Sequence, residues 1–366
     1  MSEKELAVAK TRDEELDVEE ERDEEEEAVE FDIAAYPSDK TLSVLVDEYG
    51  NGDIIIDRDF QRNFVWSIHQ ASLLIESFLL GLPVPQVFLY LDENNRYIVI
   101  DGQQRILSVA YFFEGYFGEE STHARRSVFR LQGLSDTSPY LGKTFKELDD
   151  SAQRKLRGAV LRAINIRQLQ PGGHATCIYH IFERLNTGGT PLKPQEIRNC
   201  VFRGQFATDL RELNKDNHWR DILGKPKLDR HQKDVELALR VFALAGHWKA
   251  YEKPMKGFLN KAMETNRQGS HQRVTDFKAK FPELTEKIVS SLGKKPFNIR
   301  GPLNAAVLDS VMCMIYENLS ELPDDLAARF QRLKSDKDFL DLITSGTSDP
   351  TQLKKRFELA HKHLLT

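Results

Sequence analysis

Five consecutive residues, Asp101-Gly102-Gln103-Gln104-Arg105, follow the apolar run Ile98-Val99-Ile100 and open a segment in which Ile106, Val109, Ala110 and Phe113 share one helical face. A strand that turns into a helix at a glycine presents N–H groups that have no partner within the helix, at the positive end of its dipole. Such a terminus suits an anion, phosphate above all. Gly102 lets a ligand approach the backbone closely. Arg105 adds a planar fork matched to phosphate oxygens. Gln103 and Gln104 can orient a water or a phosphate oxygen. Asp101 can hold Mg²⁺ or another divalent ion, directly or through water, or act on a nucleophilic water. The same five residues also fit a plain capped helix, with Asp101 as the cap and Arg105 paired at the surface.

Two further clusters carry polar groups between structural anchors. In Asp59-Phe60-Gln61-Arg62-Asn63-Phe64-Val65-Trp66, the polar Gln61 and Arg62 sit among aromatic residues that can fix them for a phosphate or base contact. An aromatic mini-core with exposed polar neighbours accounts for this segment equally well. In Phe182–Leu192, Gly188 and Gly189 end a helix by left-handed capping, as a connector or as a backbone cradle toward which Asn186 points.

Other motifs carry less. Gly142-Lys143-Thr144 ends like a phosphate-binding P-loop, but Thr137 stands where that loop needs its first glycine. His174, Cys177 and His180 lack a second ligand pair and read as a packed helix. His361 and His363 lack the strand pair and asparagine of a ββα-metal nuclease.

The elements that must position these residues are read from periodicity. Helices are expected over Ser38–Tyr49, Gln70–Leu80 and Gly102–Glu114, and strands at Ile54–Ile56, Val87–Leu91, Tyr97–Ile100 and within Arg157–Leu169. Beyond Ala175 the pattern is almost wholly helical, with clear amphipathic helices at Asp234–Leu244, Pro302–Leu319 and Leu326–Leu333. This order predicts an α+β domain followed by an all-helical C-terminal domain.

Composition sets the frame. The 366 residues carry a net charge of −6, unevenly distributed. Residues 1–30 hold fifteen acidic and four basic side chains, so the remainder is mildly basic at +5. Residues 1–30 are expected to be a disordered acidic tail, residues 31–200 the α+β domain and residues 201–366 the helical domain. The tail is either a plain solvated segment or a nucleic-acid mimic that covers a basic groove of the same chain. Basic residues elsewhere form scattered patches at Arg125-Arg126, Arg154-Lys155-Arg157 and Lys225–Lys233. Three cysteines exclude a disulfide scaffold and point to a reducing, cytoplasmic setting. No apolar run reaches membrane-spanning length, and the acidic first thirty residues do not read as a secretory signal.

Taken together, Asp59–Ser67, Leu74–Ser77 with Gly81–Pro85, Val99–Arg105, and Phe182–Leu192 with Gln195–Arg198 resemble, in order and spacing, the N-terminal domain of GmrSD-type restriction endonucleases. The resemblance spans roughly residues 38–200. It implies a ParB/sulfiredoxin-like fold in which a strand-to-helix junction, here Asp101–Arg105, holds nucleotide phosphates. It also implies hydrolysis of GTP or another NTP with a divalent metal, coupled to DNA restriction. On that footing Asp101, Gln104 and Arg105 are the expected catalytic residues, with Asp101 also the metal ligand. Gln61, Arg62, Gly102, Gln103, Arg105, Asn186, Gly188 and Gly189 are the expected phosphate or nucleotide contacts. The expected partners are a nucleoside triphosphate, DNA and a nuclease subunit, because residues 201–366 show no His-Asn-His-type nuclease core. A non-hydrolysing nucleic-acid-binding module and an intrinsic DNA nuclease are the alternatives, and oligomeric state is left open.

Overall fold

A computed structural model of the chain describes residues 16–19, 32–56, 64–92, 94–118, 126–170, 181, 193–229 and 231–366. It divides into two compact units, residues 29–192 and residues 193–366, the latter grouped with the N-terminal segment up to residue 28. In chain order the first strand, β1 (Val18–Glu19), belongs to the second unit.

The first unit runs β2 (Asp32–Thr41), α1 (Leu42–Gly50), β3 (Ile54–Ile55), α2 (Ile68–Leu80), β4 (Val87–Leu91), β5 (Tyr97–Asp101), α3 (Gln103–Glu114), β6 (Tyr116–Phe117), β7 (Ser127–Val128), α4 (Asp150–Gly158) and β8 (Val160–Gln170). Five strands form one mixed sheet in the order β2-β8-β4-β5-β3. The outer pair β2/β8 and the hairpin β4/β5 are antiparallel, while β8/β4 and β5/β3 are parallel. Period-two alternation places Val87, Leu89, Val99, Leu161 and Ala163 in one core with Leu42 and Leu45 of α1, Ile75 and Leu79 of α2 and Ile106, Leu107 and Val109 of α3. The β4–β5 turn is held by Asp92, whose Oδ1 accepts the N–H of Asn94 and of Arg96, each at 2.8 Å.

Strand β2 departs from expectation. The helical pattern over Ser38–Tyr49 begins only at Leu42, because residues 32–41 pair along their whole length with β8. Thr41 is the cap, its hydroxyl accepting the N–H of Val44 at 3.5 Å. Ser38 to Lys40 follow the tertiary partner rather than their local pattern.

The second unit is helical: α5 (Pro194–Val201), α6 (Gln205–Leu213), α7 (Asn217–Leu223), α8 (Lys233–Leu244), α9 (Met255–Thr265), α10 (Gln272–Leu292), β9 (Leu303–Asn304), α11 (Ala305–Glu317), α12 (Leu326–Ser335), α13 (Lys337–Leu342) and α14 (Pro350–Leu365). The chain is thus mixed α and β with a helical C-terminal region, an α+β arrangement. The helical unit starts at Lys193, before position 200 but within the stretch from Pro191 to Arg203 where the sequence places the boundary. The reason is Arg198 of α5, which is buried and donates to Glu236 of α8 at 2.5 Å and to Asn260 of α9 at 2.9 Å. Pro302–Leu319 was expected as one helix; its first turn is instead the short strand β9, and Asn304 caps α11 through the N–H of Val307. Among the described residues, no helix is long and apolar enough to cross a membrane.

The acidic tail is not featureless along its whole length. Leu16 is buried, and Val18–Glu19 pairs in parallel with Leu303–Asn304. Apart from residues 16–19, the tail lies outside the described residues.

Candidate functional site

Asp101 is the last residue of β5 and stands opposite Phe88, where a register shift between Phe88 and Leu89 interrupts the β4–β5 ladder. Gly102 follows with φ 103° and ψ 10° and is the N-cap of α3. Two constraints select glycine here. The backbone is left-handed, and a Cβ would meet Val87 Cγ1 at 2.2 Å. The close approach to buried Val87 is what presses the start of α3 against the start of β4.

Gly102, having no side chain, gives α3 no side-chain cap of its own. Asp101, the expected cap in the structural alternative, instead pairs with Arg105. The guanidinium Nη2 donates to Asp101 Oδ2 at 2.7 Å and to the Gln86 carbonyl at 3.2 Å. Arg105 Nε is buried and has no hydrogen-bond partner among the described residues. Arg105 is therefore held at the glycine-capped start of α3, fixed through one nitrogen and without a partner among the described residues at another. The Asp101 carboxylate is about 40% exposed, so ligand and solvent reach it.

Gln104 has a different place from the one expected. Its Oε1 accepts the backbone N–H of Val65 at 2.9 Å and of Trp66 at 3.1 Å. That oxygen is engaged in structure, and the Nε2 donor is what remains for a ligand. The contact ties residues 64–66 to the first turn of α3. Phe64 reinforces it, its ring lying edge-on to Tyr111 of α3 at 5.1 Å and to Phe117 at 5.4 Å. The segment that directly follows Gln61 and Arg62 in the chain is thus fastened to the helix that carries Gln104 and Arg105. Ser67 then caps α2 in a reciprocal box with Gln70.

Replacing Gln104 by alanine is expected to release this clasp. Two hydrogen bonds are lost at a partly exposed position, a local destabilisation of about 1–2 kcal/mol. Amide exchange at Val65 and Trp66 should then quicken about tenfold or more, while the urea midpoint of the unit changes little. Gln104→Glu keeps the acceptor and should restore protection. Equal exchange in all three proteins would contradict the assignment.

Asp101, Gly102, Gln103, Gln104 and Arg105 therefore gather at one junction. Gln61, Arg62, Asn186, Gly188 and Gly189 lie outside the described residues. Sequence reasoning missed Gln86 and Val87, which wall the junction from β4; the signal for Val87 was the glycine itself, since close approach needs a neighbour. Among the described residues, no group of three or more His, Cys, Asp or Glu is placed to hold a metal. The Gly142-Lys143-Thr144 segment is structural, with Thr144 and Glu147 capping a short 3₁₀ turn. His174, Cys177 and His180 are outside the described residues, and His363 pairs with Asp336 at 2.8 Å.

With this geometry in view, comparison with known proteins adds one finding. Residues 42–203 match the family described as GmrSD restriction endonuclease, N-terminal domain. The matched span contains every candidate site residue. No curated protein and no solved structure matches the chain.

Proposed function

We propose, from the premise that residues 42–203 belong to the GmrSD restriction endonuclease N-terminal domain family, that this chain is a nucleoside-triphosphate-binding and -hydrolysing component of a DNA restriction system. The observation that carries the proposal is the junction at 101–105: a helix start whose cap is a glycine, with Arg105 Nε buried and without a hydrogen-bond partner among the described residues. A phosphate oxygen is the acceptor this arrangement lacks. The first unit is taken, in the same proposal, to be a ParB/sulfiredoxin-like domain, in keeping with its mixed sheet and phosphate-binding strand–glycine–helix turn.

The roles follow from the chemistry. Arg105 and the first N–H groups of α3 bind the phosphates and oppose the charge that grows on them during transfer. Arg62, three residues before the clasped Val65, adds a second cation, and Asn186, Gly188 and Gly189 add polar and backbone contacts. Gln104 is a positioning residue that keeps the 64–66 segment on the helix. Asp101 carries one carboxylate oxygen on Arg105 and is reachable by solvent, which fits a Mg²⁺ ion held by a single carboxylate together with substrate phosphates. Such an ion, when bound, neutralises phosphate charge. Phosphate entry draws Arg105 from Asp101 and releases the carboxylate for the ion or for the attacking water. The water oxygen bonds to the γ-phosphorus as the bridging P–O bond breaks and one water proton passes to the Asp101 carboxylate and on to solvent, giving a nucleoside diphosphate and inorganic phosphate. DNA cleavage is left to a nuclease partner.

Binding without turnover is the second reading, favoured by one observation: Gln104 Oε1 is engaged by backbone, so fewer groups remain to orient a water. Phosphate release from each common NTP with Mg²⁺ tests the first reading, with Asp101→Ala as the control that should lose it.

A further inference from the structure

Residues 16–19, within the acid-rich N-terminal sequence, are seated between two basic loops of the helical unit. Leu16 donates its N–H to Asp229 Oδ2, and Leu303 donates its N–H to Asp17 O at 3.3 Å. Asn304 Nδ2 reaches Glu19 Oε2 at 3.4 Å. One end of the docked segment thus lies on the loop after α7, and its other end on the loop before α11.

These two loops are held firmly against each other. Buried Arg220 donates to the carbonyls of Lys225 at 2.8 Å and Lys227 at 2.9 Å, and is itself paired with fully buried Asp234 at 2.7 Å. Lys295 donates its N–H to Asp221 O at 3.2 Å, and its side chain lies over Gly224, where a Cβ would meet Lys295 Cε at 2.0 Å. The loops present Lys225, Lys227, Lys294, Lys295 and Arg300, all but Lys225 exposed. Their carboxylates do little to offset this. Asp221 pairs with Lys294 at 2.9 Å, and Asp229 is turned inward onto N–H groups of Leu16, His231 and Lys233. Lys227 is two residues from Asp229 and Arg300 three from Leu303, so chain geometry keeps them within about 7 and 11 Å of residues that touch the docked segment.

The sequence on either side of the docked residues is strongly acidic: Asp13, Glu14 and Glu15 precede them, and seven acids with a single arginine occupy positions 20–27. The contacts of residues 16–19 therefore anchor a run of acidic sequence beside basic loops, and charges within a Debye length of about 8–10 Å interact at ordinary salt. We propose that the loops carrying Lys227, Lys294, Lys295 and Arg300 bind the phosphate backbone of DNA, and that the acidic segment occupies this surface in the free protein and must be displaced. The choice of DNA as polyanion rests on the restriction reading above; the competition itself rests on the docked segment and the loops.

The test uses the full chain and a short mixed-sequence DNA duplex, followed by fluorescence anisotropy. In one variant the seven acids between Glu20 and Glu27 are changed to their amides, leaving residues 16–19 intact. Affinity at low salt should rise about tenfold or more, with a steeper salt dependence. Adding Lys227→Ser, Lys294→Ser, Lys295→Ser and Arg300→Ser to that variant should remove the gain, with thermal melting confirming that the helical unit is folded. Unchanged affinity on neutralising the tail, or a gain that survives in the loop variant, overturns the inference. If neither chain binds DNA, the same titration with heparin separates the two claims. Tail-dependent heparin binding keeps the competition and rejects DNA as the partner, and tail-independent binding rejects the competition. Nucleotide turnover is read separately, so its failure is distinguishable from failure here.

Discussion

Replacing Arg105 by alanine is expected to weaken nucleotide binding about 100-fold, because charge-assisted hydrogen bonds to phosphate contribute about 1.5–3 kcal/mol each. The loss has a second component. Without Arg105 the Asp101 carboxylate, now 2.7 Å from the guanidinium, faces the incoming phosphates unopposed. The stability of the unit should change little by comparison. The Asp101 side chain is about 40% exposed, and an ion pair open to solvent contributes only about 0–1 kcal/mol. A large fall in affinity with a nearly constant melting temperature is thus the signature of a ligand-binding arginine. Arg105→Lys should fall between, since it keeps the charge but not the planar fork that can offer several N–H groups to a phosphate at once. Titration with a fluorescent nucleotide analogue reads both variants. An unchanged dissociation constant for the alanine variant would remove Arg105 from the site.

Gly102→Ala should be the most damaging single substitution at the junction, and for a reason independent of ligand. A non-glycine residue at φ 103° is strained by about 1–2 kcal/mol. The new methyl would also stand 2.2 Å from Val87 Cγ1, in a core where Val87 is fully buried, and overpacking of that kind costs about 1–3 kcal/mol. A total of about 2–5 kcal/mol is expected from urea denaturation. Val87→Ala creates its own cavity, but it also removes the Cγ1 clash. The double variant should therefore be less destabilised than the two single effects summed, by about 0.5–3 kcal/mol. Strict additivity, or a neutral Gly102→Ala, would mean that α3 and β4 do not approach as described.

The junction was legible from sequence because its information is local. Ile98-Val99-Ile100 reads as a strand by composition, Gly102 as a turn, and Ile106, Val109, Ala110 and Phe113 as one helical face, and all three stand where expected. What could not be read depends on partners far away in the chain. Strand β2 contains Pro37 and weak alternation, and only its pairing with residues 160–170 makes it a strand. The boundary falls within the stretch from Pro191 to Arg203, as the sequence places it, but its start at Lys193 follows from Arg198 reaching Glu236 and Asn260, contacts invisible in a helical pattern. Gln104 was assigned to a water because glutamine types suit that work. Its carbonyl oxygen instead meets Val65 and Trp66, thirty-nine and thirty-eight residues away. The short strand at Val18–Glu19 has no local signature at all; it exists because Leu303–Asn304 offers an edge.

The central claim is that the 101–105 junction binds and hydrolyses a nucleoside triphosphate. The most direct measurement is phosphate release from GTP, ATP, CTP and UTP with Mg²⁺, with and without duplex DNA, by the wild-type chain beside Asp101→Ala. The account predicts turnover with at least one nucleotide in the wild type and its loss in the variant, with helix content unchanged. Turnover of the same size in the variant, or none by the wild type with any nucleotide in the presence of DNA, would contradict it.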